Sequence, residues 1–146
     1  MDMMAGLQVN FSALTAQRTR MNVIASNLAN AQSTRTPEGG PYKRQDVVFA
    51  AQPQRSSFAG MLDEHLQDGV NEVHVLDIIS DRNAPRLEYE PDHPDANEQG
   101  YVAYPNVNVM REMVDLISAS RAYEANLKVL QAYHQQVEQA LQLLRS

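Results

Sequence analysis

One short segment collects the side chains that could do chemistry, the run Glu90-Pro91-Asp92-His93-Pro94-Asp95. A histidine flanked by carboxylates is a common ligand set for a divalent cation. The spacing matches no metal-binding loop with a known mechanism, however, and the two prolines fix the backbone in an extended turn. The segment is therefore predicted to be a solvent-exposed acidic turn, with no metal and no cofactor.

Other catalytic patterns are missing from the sequence. It contains no GxSxG nucleophile elbow, no GxxxxGK[ST] phosphate loop and no GxGxxG dinucleotide motif. The remaining histidines, His65, His74 and His134, are isolated from one another, and the chain has no cysteine that could form a disulfide or bind a metal as a thiolate. These observations predict a protein that is not an enzyme and has no small-molecule substrate.

Charge and hydropathy exclude two further classes of partner. The chain carries 12 Lys and Arg against 18 Asp and Glu, and only Lys43 and Arg44 are adjacent basic residues. Nucleic-acid binding needs clustered cations, so no nucleic-acid partner is expected. No apolar run approaches the ~20 residues that span a bilayer, so no membrane insertion is expected. The N-terminus lacks the pattern of a cleavable signal peptide, so any export is expected to retain it.

The elements that would position these residues are dominated by a long C-terminal helix. Its apolar residues recur in alternating steps of four and three, a period of 3.5 that is typical of coiled-coil packing. At ~1.5 Å per residue the helix is about 55 Å long. The seam is interrupted by two polar residues and consists of Val109, Met113, Leu116, Ser120, Tyr123, Leu127, Leu130, His134, Val137, Leu141 and Leu144.

The N-terminal residues 3–31 repeat this pattern and predict a second helix. Its seam is Met4, Leu7, Phe11, Leu14, Arg18, Met21, Ala25 and Leu28.

The predicted fold class is mainly α with a small β insertion. The terminal helices, within segments 1–31 and 106–146, are predicted to pair as an antiparallel coiled coil. The inserted region 32–105 is predicted to hold short strands near 42–50, 73–79, 86–90 and 100–105, with a linker at 52–60. Either Asn106 or Asn108 is expected to cap the second helix.

A polar stripe of Asn22, Ser26 and Asn30 follows one face of the first helix. Two interpretations remain open, either a solvated surface with helix-end signals or a polar contact between subunits.

Two sets of motifs resemble the terminal signatures of flagellar rod, hook and hook-associated proteins. The N-terminal set is Ser26-Asn27-Leu28-Ala29-Asn30-Ala31, followed by Pro41-Tyr42-Lys43-Arg44. The C-terminal set is Gly100-Tyr101-Val102, Pro105-Asn106-Val107-Asn108, Glu112-Met113-Val114 and Ser118-Ala119-Ser120-Arg121-Ala122-Tyr123-Glu124-Ala125-Asn126. Tyr89-Glu90-Pro91, the following turn and the short length point to a proximal rod component within that family.

The resemblance implies a structural subunit that polymerises through its terminal helices into the torque-transmitting tube of the basal body. It also implies export through the flagellar type III apparatus, assembly in the periplasm, and contacts with copies of itself and with other rod proteins. Residues outside the seam, including Met110, Val114, Ile117 and Leu143, would pack against neighbouring subunits. The alternative is a coiled-coil adaptor or extracellular interaction protein outside the flagellum.

Overall fold

The computed structural model describes residues 3–53 and 71–145, which form two helices and two small antiparallel sheets. In chain order the elements are α1 (Met3–Ala29), β1 (Gln45–Pro53), β2 (Asn71–Ser80), β3 (Arg86–Tyr89), β4 (Tyr101–Tyr104) and α2 (Val109–Arg145). The predicted combination of terminal helices with a small β insertion is confirmed. The predicted linker 52–60 begins inside β1, and its remaining positions 54–60 lie outside the described residues.

The ends of both helices are fixed by asparagine side chains. Asn108 accepts a hydrogen bond from the backbone N–H of Arg111 at 3.1 Å and therefore caps α2. Asn108 is one of the two residues that the sequence predicts as the cap. At the end of α1, Asn30 donates its side-chain N–H to the carbonyl of Ser26 at 2.9 Å. The Asn108 bond satisfies a backbone N–H of the first turn that has no partner within the helix, whereas the Asn30 side chain adds a second donor to a carbonyl that already accepts from the backbone N–H of Asn30.

The two sheets are hairpin-like pairs rather than one layer. β1 and β2 pair from Gln45 opposite Ser80 to Pro53 opposite Asn71, with a bulge that leaves Leu76 without an opposite residue. β3 and β4 pair from Arg86 opposite Tyr104 to Tyr89 opposite Tyr101. A two-stranded pair is marginally stable alone, so each depends on packing against other parts of the chain.

The buried core lies mainly along α1 and the first part of α2. α1 packs against α2, β1 and β2. Among the described residues, the buried apolar side chains include Leu14, Ala16, Val23, Ile24, Ala31, Val102, Val107 and Ala119. Within 120–143 no side chain is fully buried. In the described part of the chain, no helix is both long and apolar enough to span a membrane.

A glycine closes the connection between β3 and β4. Gly100 has a φ of +81°, a conformation that is strained for residues with a Cβ. A Cβ at this position would lie 2.8 Å from Cε2 of Tyr89 and 3.4 Å from Cβ of Pro91. Both the backbone angle and the close aromatic ring therefore require glycine.

Replacing Gly100 with alanine is expected to lower the free energy of unfolding by about 3 kcal/mol, because backbone strain and overlap with Tyr89 add. Gly39→Ala is the matched control, since Gly39 also has a positive φ but open space around it. It should cost only about 1 kcal/mol. Chemical denaturation measures both, and amide hydrogen exchange of residues 101–104 should rise only in Gly100→Ala. An equal loss of unfolding free energy in the two variants would show that the contact with Tyr89 does not contribute to the cost of Gly100→Ala.

Candidate functional site

Asn27 joins the end of α1 to the beginning of β1. Its side-chain N–H donates to the carbonyl of Gln45 at 2.8 Å, and its Oδ1 accepts from the backbone N–H of Gln45 at 2.9 Å. The amide thus pairs with Gln45 as a neighbouring strand would. Asn27 is fully buried, so these bonds form where water cannot replace them.

Glu112, in the first turns of α2, is a fully buried carboxylate. Its Oε2 accepts from Asn27 Nδ2 at 3.1 Å, and its Oε1 accepts from Nε of Arg44 at 2.6 Å. A buried carboxylate is costly unless it is paired and hydrogen-bonded, and here both oxygens are satisfied. The positive end of the α2 dipole adds to the stabilisation.

Arg44 is the cation that balances this carboxylate. Its Nη1 also donates to Oδ2 of Asp46 at 3.3 Å. Burial by itself lowers the pKa of the Arg44 guanidinium, but the hydrogen bond and charge of Glu112, assisted by Asp46, outweigh that effect and raise the pKa above its ordinary value. The guanidinium is therefore held in its charged form beside Glu112.

Tyr42 completes the cluster. Its hydroxyl donates to Oδ1 of Asn27 at 3.0 Å and lies 3.4 Å from Oγ of Ser26. Of the polar stripe predicted along α1, Ser26 and Asn30 thus have partners within the chain, while Asn22 is exposed.

We call Asn27, Tyr42, Arg44, Gln45 and Glu112 the polar junction. It fixes three segments against one another: the end of α1, the start of β1 and the start of α2. The groups hold each other in hydrogen bonds and leave no nucleophile beside a free base. The arrangement is suited to positioning elements rather than to catalysis.

The two motif sets of the sequence meet in this junction. Asn27 from the first set contacts Glu112 from the second, although 85 positions separate them. Pro105 is buried and Asn108 caps α2. Ala31, Val102, Val107 and Ala119 of these two sets are also buried. Ala29, Asn106, Met113 and Arg121 are exposed, and Ser26, Leu28, Asn30, Tyr123 and Asn126 are half-buried.

Sequence reasoning did not place Tyr42, Arg44 and Gln45 in a site. The available signals were the adjacent basic pair at Lys43 and Arg44, one glutamate near the start of α2, and the presence of Tyr42, Arg44 and Glu112 in the two motif sets. None of these signals indicates a contact, because the partners are far apart in the chain and meet only through the fold.

The predicted seam residues are buried to very different degrees. Leu14 is fully buried, whereas Phe11, Met113 and Leu141 are exposed. The side chain of Leu144 lies outside the described residues. The half-buried seam residues are Leu7, Met21, Leu28, Leu116, Ser120, Tyr123, Leu127, Leu130 and Val137. The further seam residues Met4, Arg18, Ala25, Val109 and His134 are exposed.

At two seam positions of α2, the buried residue is the one that precedes the predicted seam residue. Glu112 and Ala119 are buried, whereas Met113 is exposed and Ser120 half-buried. The physical reason is the polar junction, because Glu112 can meet Asn27 and Arg44 only if its side of α2 faces α1. The apolar residue Met113 is then left outside.

The acidic turn is folded back on the chain rather than open to a cation. Asp95 accepts from the hydroxyl of Thr34 at 2.7 Å and lies 3.7 Å from Arg35. Its backbone N–H donates to Nδ1 of His93 at 3.1 Å. Among the described residues, no three His, Asp or Glu side chains are placed to hold a metal ion.

The polar junction gives a direct stability prediction. Arg44→Met leaves the buried carboxylate of Glu112 without its cation and should lower the free energy of unfolding by about 3 kcal/mol. Adding Glu112→Gln removes the charge and should recover part of that loss, a non-additivity measurable in a double-mutant cycle.

The control for this cycle is Arg121→Met, an exposed arginine without an ion pair among the described residues. Its effect should stay within about 0.5 kcal/mol. Urea denaturation of all four variants supplies the measurement. Strict additivity of Arg44→Met and Glu112→Gln would show that the two charges do not depend on each other.

Comparisons with known proteins agree with this arrangement of two terminal segments. Residues 7–35 match the family described as flagella basal body rod protein. Residues 98–143 match the family described as flagellar basal body rod FlgEFG protein C-terminal. The first region contains Asn27 and the second contains Glu112, so both sides of the polar junction fall within matched regions.

Similar proteins cover nearly the whole chain. The flagellar basal-body rod protein FlgC of Borreliella burgdorferi is 41% identical over 99% of this chain and 99% of its own. FlgC of Bacillus subtilis is 42% identical over 94% and 95%, and FlgC of Escherichia coli O157:H7 is 45% identical over 82% and 81%. The predicted resemblance is confirmed, and so is a structural, non-enzymatic rod subunit of the flagellar basal body. By this sequence similarity, the chain belongs to the FlgC family of flagellar basal-body rod proteins.

Proposed function

We propose that this rod subunit polymerises through α1 and α2, paired as an antiparallel coiled coil, into the torque-transmitting axial tube. The observation that carries the proposal is a contact near each end of the helix pair. Asn27 of α1 meets Glu112 of α2, and a Cβ on Gly6 would lie 3.0 Å from the hydroxyl of Tyr133. Gly6 lies N-terminal to Asn27 on α1, and Tyr133 lies the same number of residues C-terminal to Glu112 on α2. The two contacts therefore support helices that run in opposite directions.

The exposed apolar residues supply surfaces for neighbouring subunits. Met110, Val114, Ile117 and Leu143 of α2 are exposed, as expected from the sequence, and so is Phe11 of α1. Large apolar side chains grouped on a helix surface are typical of protein contacts. Repetition of one contact between different surfaces produces an open helical assembly, the geometry that a tube requires.

The proposal includes export through the flagellar type III apparatus and assembly with other rod proteins in the periplasmic part of the basal body. The contact face of α1 supports passage as an unfolded chain, because it is not optimised for stability. Asn10 Oδ1 and Gln17 Oε1 are buried and have no hydrogen-bond partner among residues 3–53 and 71–145. Each such oxygen costs roughly 1–3 kcal/mol. Subunit neighbours in the rod would then provide stability that the single chain lacks.

The antiparallel pairing can be tested by crosslinking, since the chain has no native cysteine. Gly6→Cys combined with Tyr133→Cys should crosslink within one chain through a short bis-maleimide, because the two positions are adjacent in the structure. The control, Gly6→Cys with Met113→Cys, places the second thiol roughly 30 Å away along α2. Crosslinking of the control pair in preference to the first would indicate parallel helices.

The assembly role of the helices can be tested with Leu127→Asp. Leu127 is half-buried on α2, and a carboxylate there disfavours any further packing of the helix. Motility in soft agar should be lost and rods should be missing from isolated basal bodies, while expression is retained.

Gln131→Asp is the matched control, because it adds the same charge one turn further on at an exposed position. It should preserve most swimming. Normal motility and normal rods in Leu127→Asp would contradict assembly through this part of α2.

A further inference from the structure

The β3–β4 pair presents an exposed aromatic surface. Leu87, Tyr89 and Tyr101 are 61%, 64% and 41% exposed and share one face of the pair. The rings of Tyr89 and Tyr101 lie edge to face with centroids 5.3 Å apart. The opposite face carries Val102, which is fully buried. We call Leu87, Tyr89 and Tyr101 the tyrosine patch.

The surroundings of the tyrosine patch are acidic. The segment 87–104 contains five carboxylates and no lysine or arginine. Three carboxylates have partners nearby: Glu88 with Arg86, Glu90 with Tyr104, and Asp95 with Thr34. Asp92 and Glu98 are exposed on the connection between β3 and β4, without ion pairs among the described residues.

A surface of opposite character runs along α2. Met110, Val114 and Ile117 are 72%, 63% and 54% exposed, and Arg121 and Lys128 continue the same helix face, with one exposed carboxylate, Glu124, between them. This face is opposite the one that buries Glu112 and Ala119. We call these five residues, Met110, Val114, Ile117, Arg121 and Lys128, the basic stripe. Neither of its cations has an ion pair among the described residues.

The two surfaces match in layout as well as in charge. Met110 to Ile117 spans about 10 Å along α2, and Arg121 follows about 6 Å further on. Leu87 to Tyr89 spans about 7 Å along β3, and the turn with Asp92 begins within roughly 10 Å beyond Tyr89. Each surface is therefore an apolar area followed at one end by charges, negative on the hairpin and positive on the helix.

We propose that the tyrosine patch of one subunit docks on the basic stripe of a second copy of this chain, with Asp92 and Glu98 facing Arg121 and Lys128. The proposal rests on the polymerisation proposed above and assigns one of its contacts. Because the two surfaces differ, the contact is head to tail and leaves one surface free at each end of a row. A symmetric contact between two tyrosine patches would instead bring like charges together.

The test uses two single-cysteine variants of the full chain, Tyr89→Cys and Val114→Cys, each at an exposed position. Co-expression, isolation of basal bodies and treatment with a short bis-maleimide should give a dimer that joins one copy of each variant. Cells with either variant alone should give little dimer. The same mixture of purified chains at high concentration provides a second measurement if either variant assembles poorly.

Charge reversal tests the complementarity. Asp92→Lys with Glu98→Lys, added to Tyr89→Cys, should reduce dimer yield about tenfold, since two attractive pairs become repulsive. Arg121→Glu with Lys128→Glu on the Val114→Cys partner should restore it. Glu38→Lys with Glu138→Lys, two exposed changes of equal charge, should leave the yield unchanged.

Three outcomes would overturn the docking proposal: Tyr89→Cys dimers as abundant as mixed dimers, no loss on charge reversal, or crosslinking of Tyr89→Cys only to a different protein. If the Gly6 and Tyr133 crosslink and normal rods persist in any of these cases, polymerisation through the helices stands and only the docking contact is wrong.

Discussion

The buried carboxylate of Glu112 constrains the rest of this structure. A charge without water must have a cation and hydrogen-bond donors within reach, and these come from Arg44 and Asn27. Because Asn27 also pairs with the backbone of Gln45, one carboxylate decides how α1, β1 and α2 meet. The two terminal regions of this chain that match the rod family thus contact each other through a polar cluster rather than through apolar packing alone.

This constraint has a consequence for the surface. With Glu112 turned toward α1, the apolar side chains Met110, Met113, Val114 and Ile117 remain exposed, and no side chain in 120–143 is fully buried. A monomer would bury such residues to gain stability. A rod subunit can leave such residues exposed for contacts with its neighbours, and binding of a neighbour to the folded chain adds to its stability by mass action.

Much of the secondary structure follows from local pattern. The helix bounds agree with the predicted 3–31 and 106–146 to within three residues at each end that the structure describes, and the four predicted strand segments correspond to β1 to β4. Alternating hydrophobicity, proline and glycine positions and asparagine caps act over a few residues, so they can be recognised from sequence. The linker was predicted to begin too early, because Gln52 and Pro53 continue the pairing of β1 with β2.

The sequence by itself determined the elements, the charge balance and the resemblance to flagellar axial proteins. Only the tertiary structure decided which face of each helix is buried. Met113 and Glu112 are adjacent in the chain, and the heptad pattern favours Met113, yet Glu112 is the buried residue. The reason is that hydrophobic periodicity describes a stripe along one helix, whereas a buried ion pair depends on residues that are distant in sequence. Arg44 and Asn27 become partners of Glu112 only when the chain has folded.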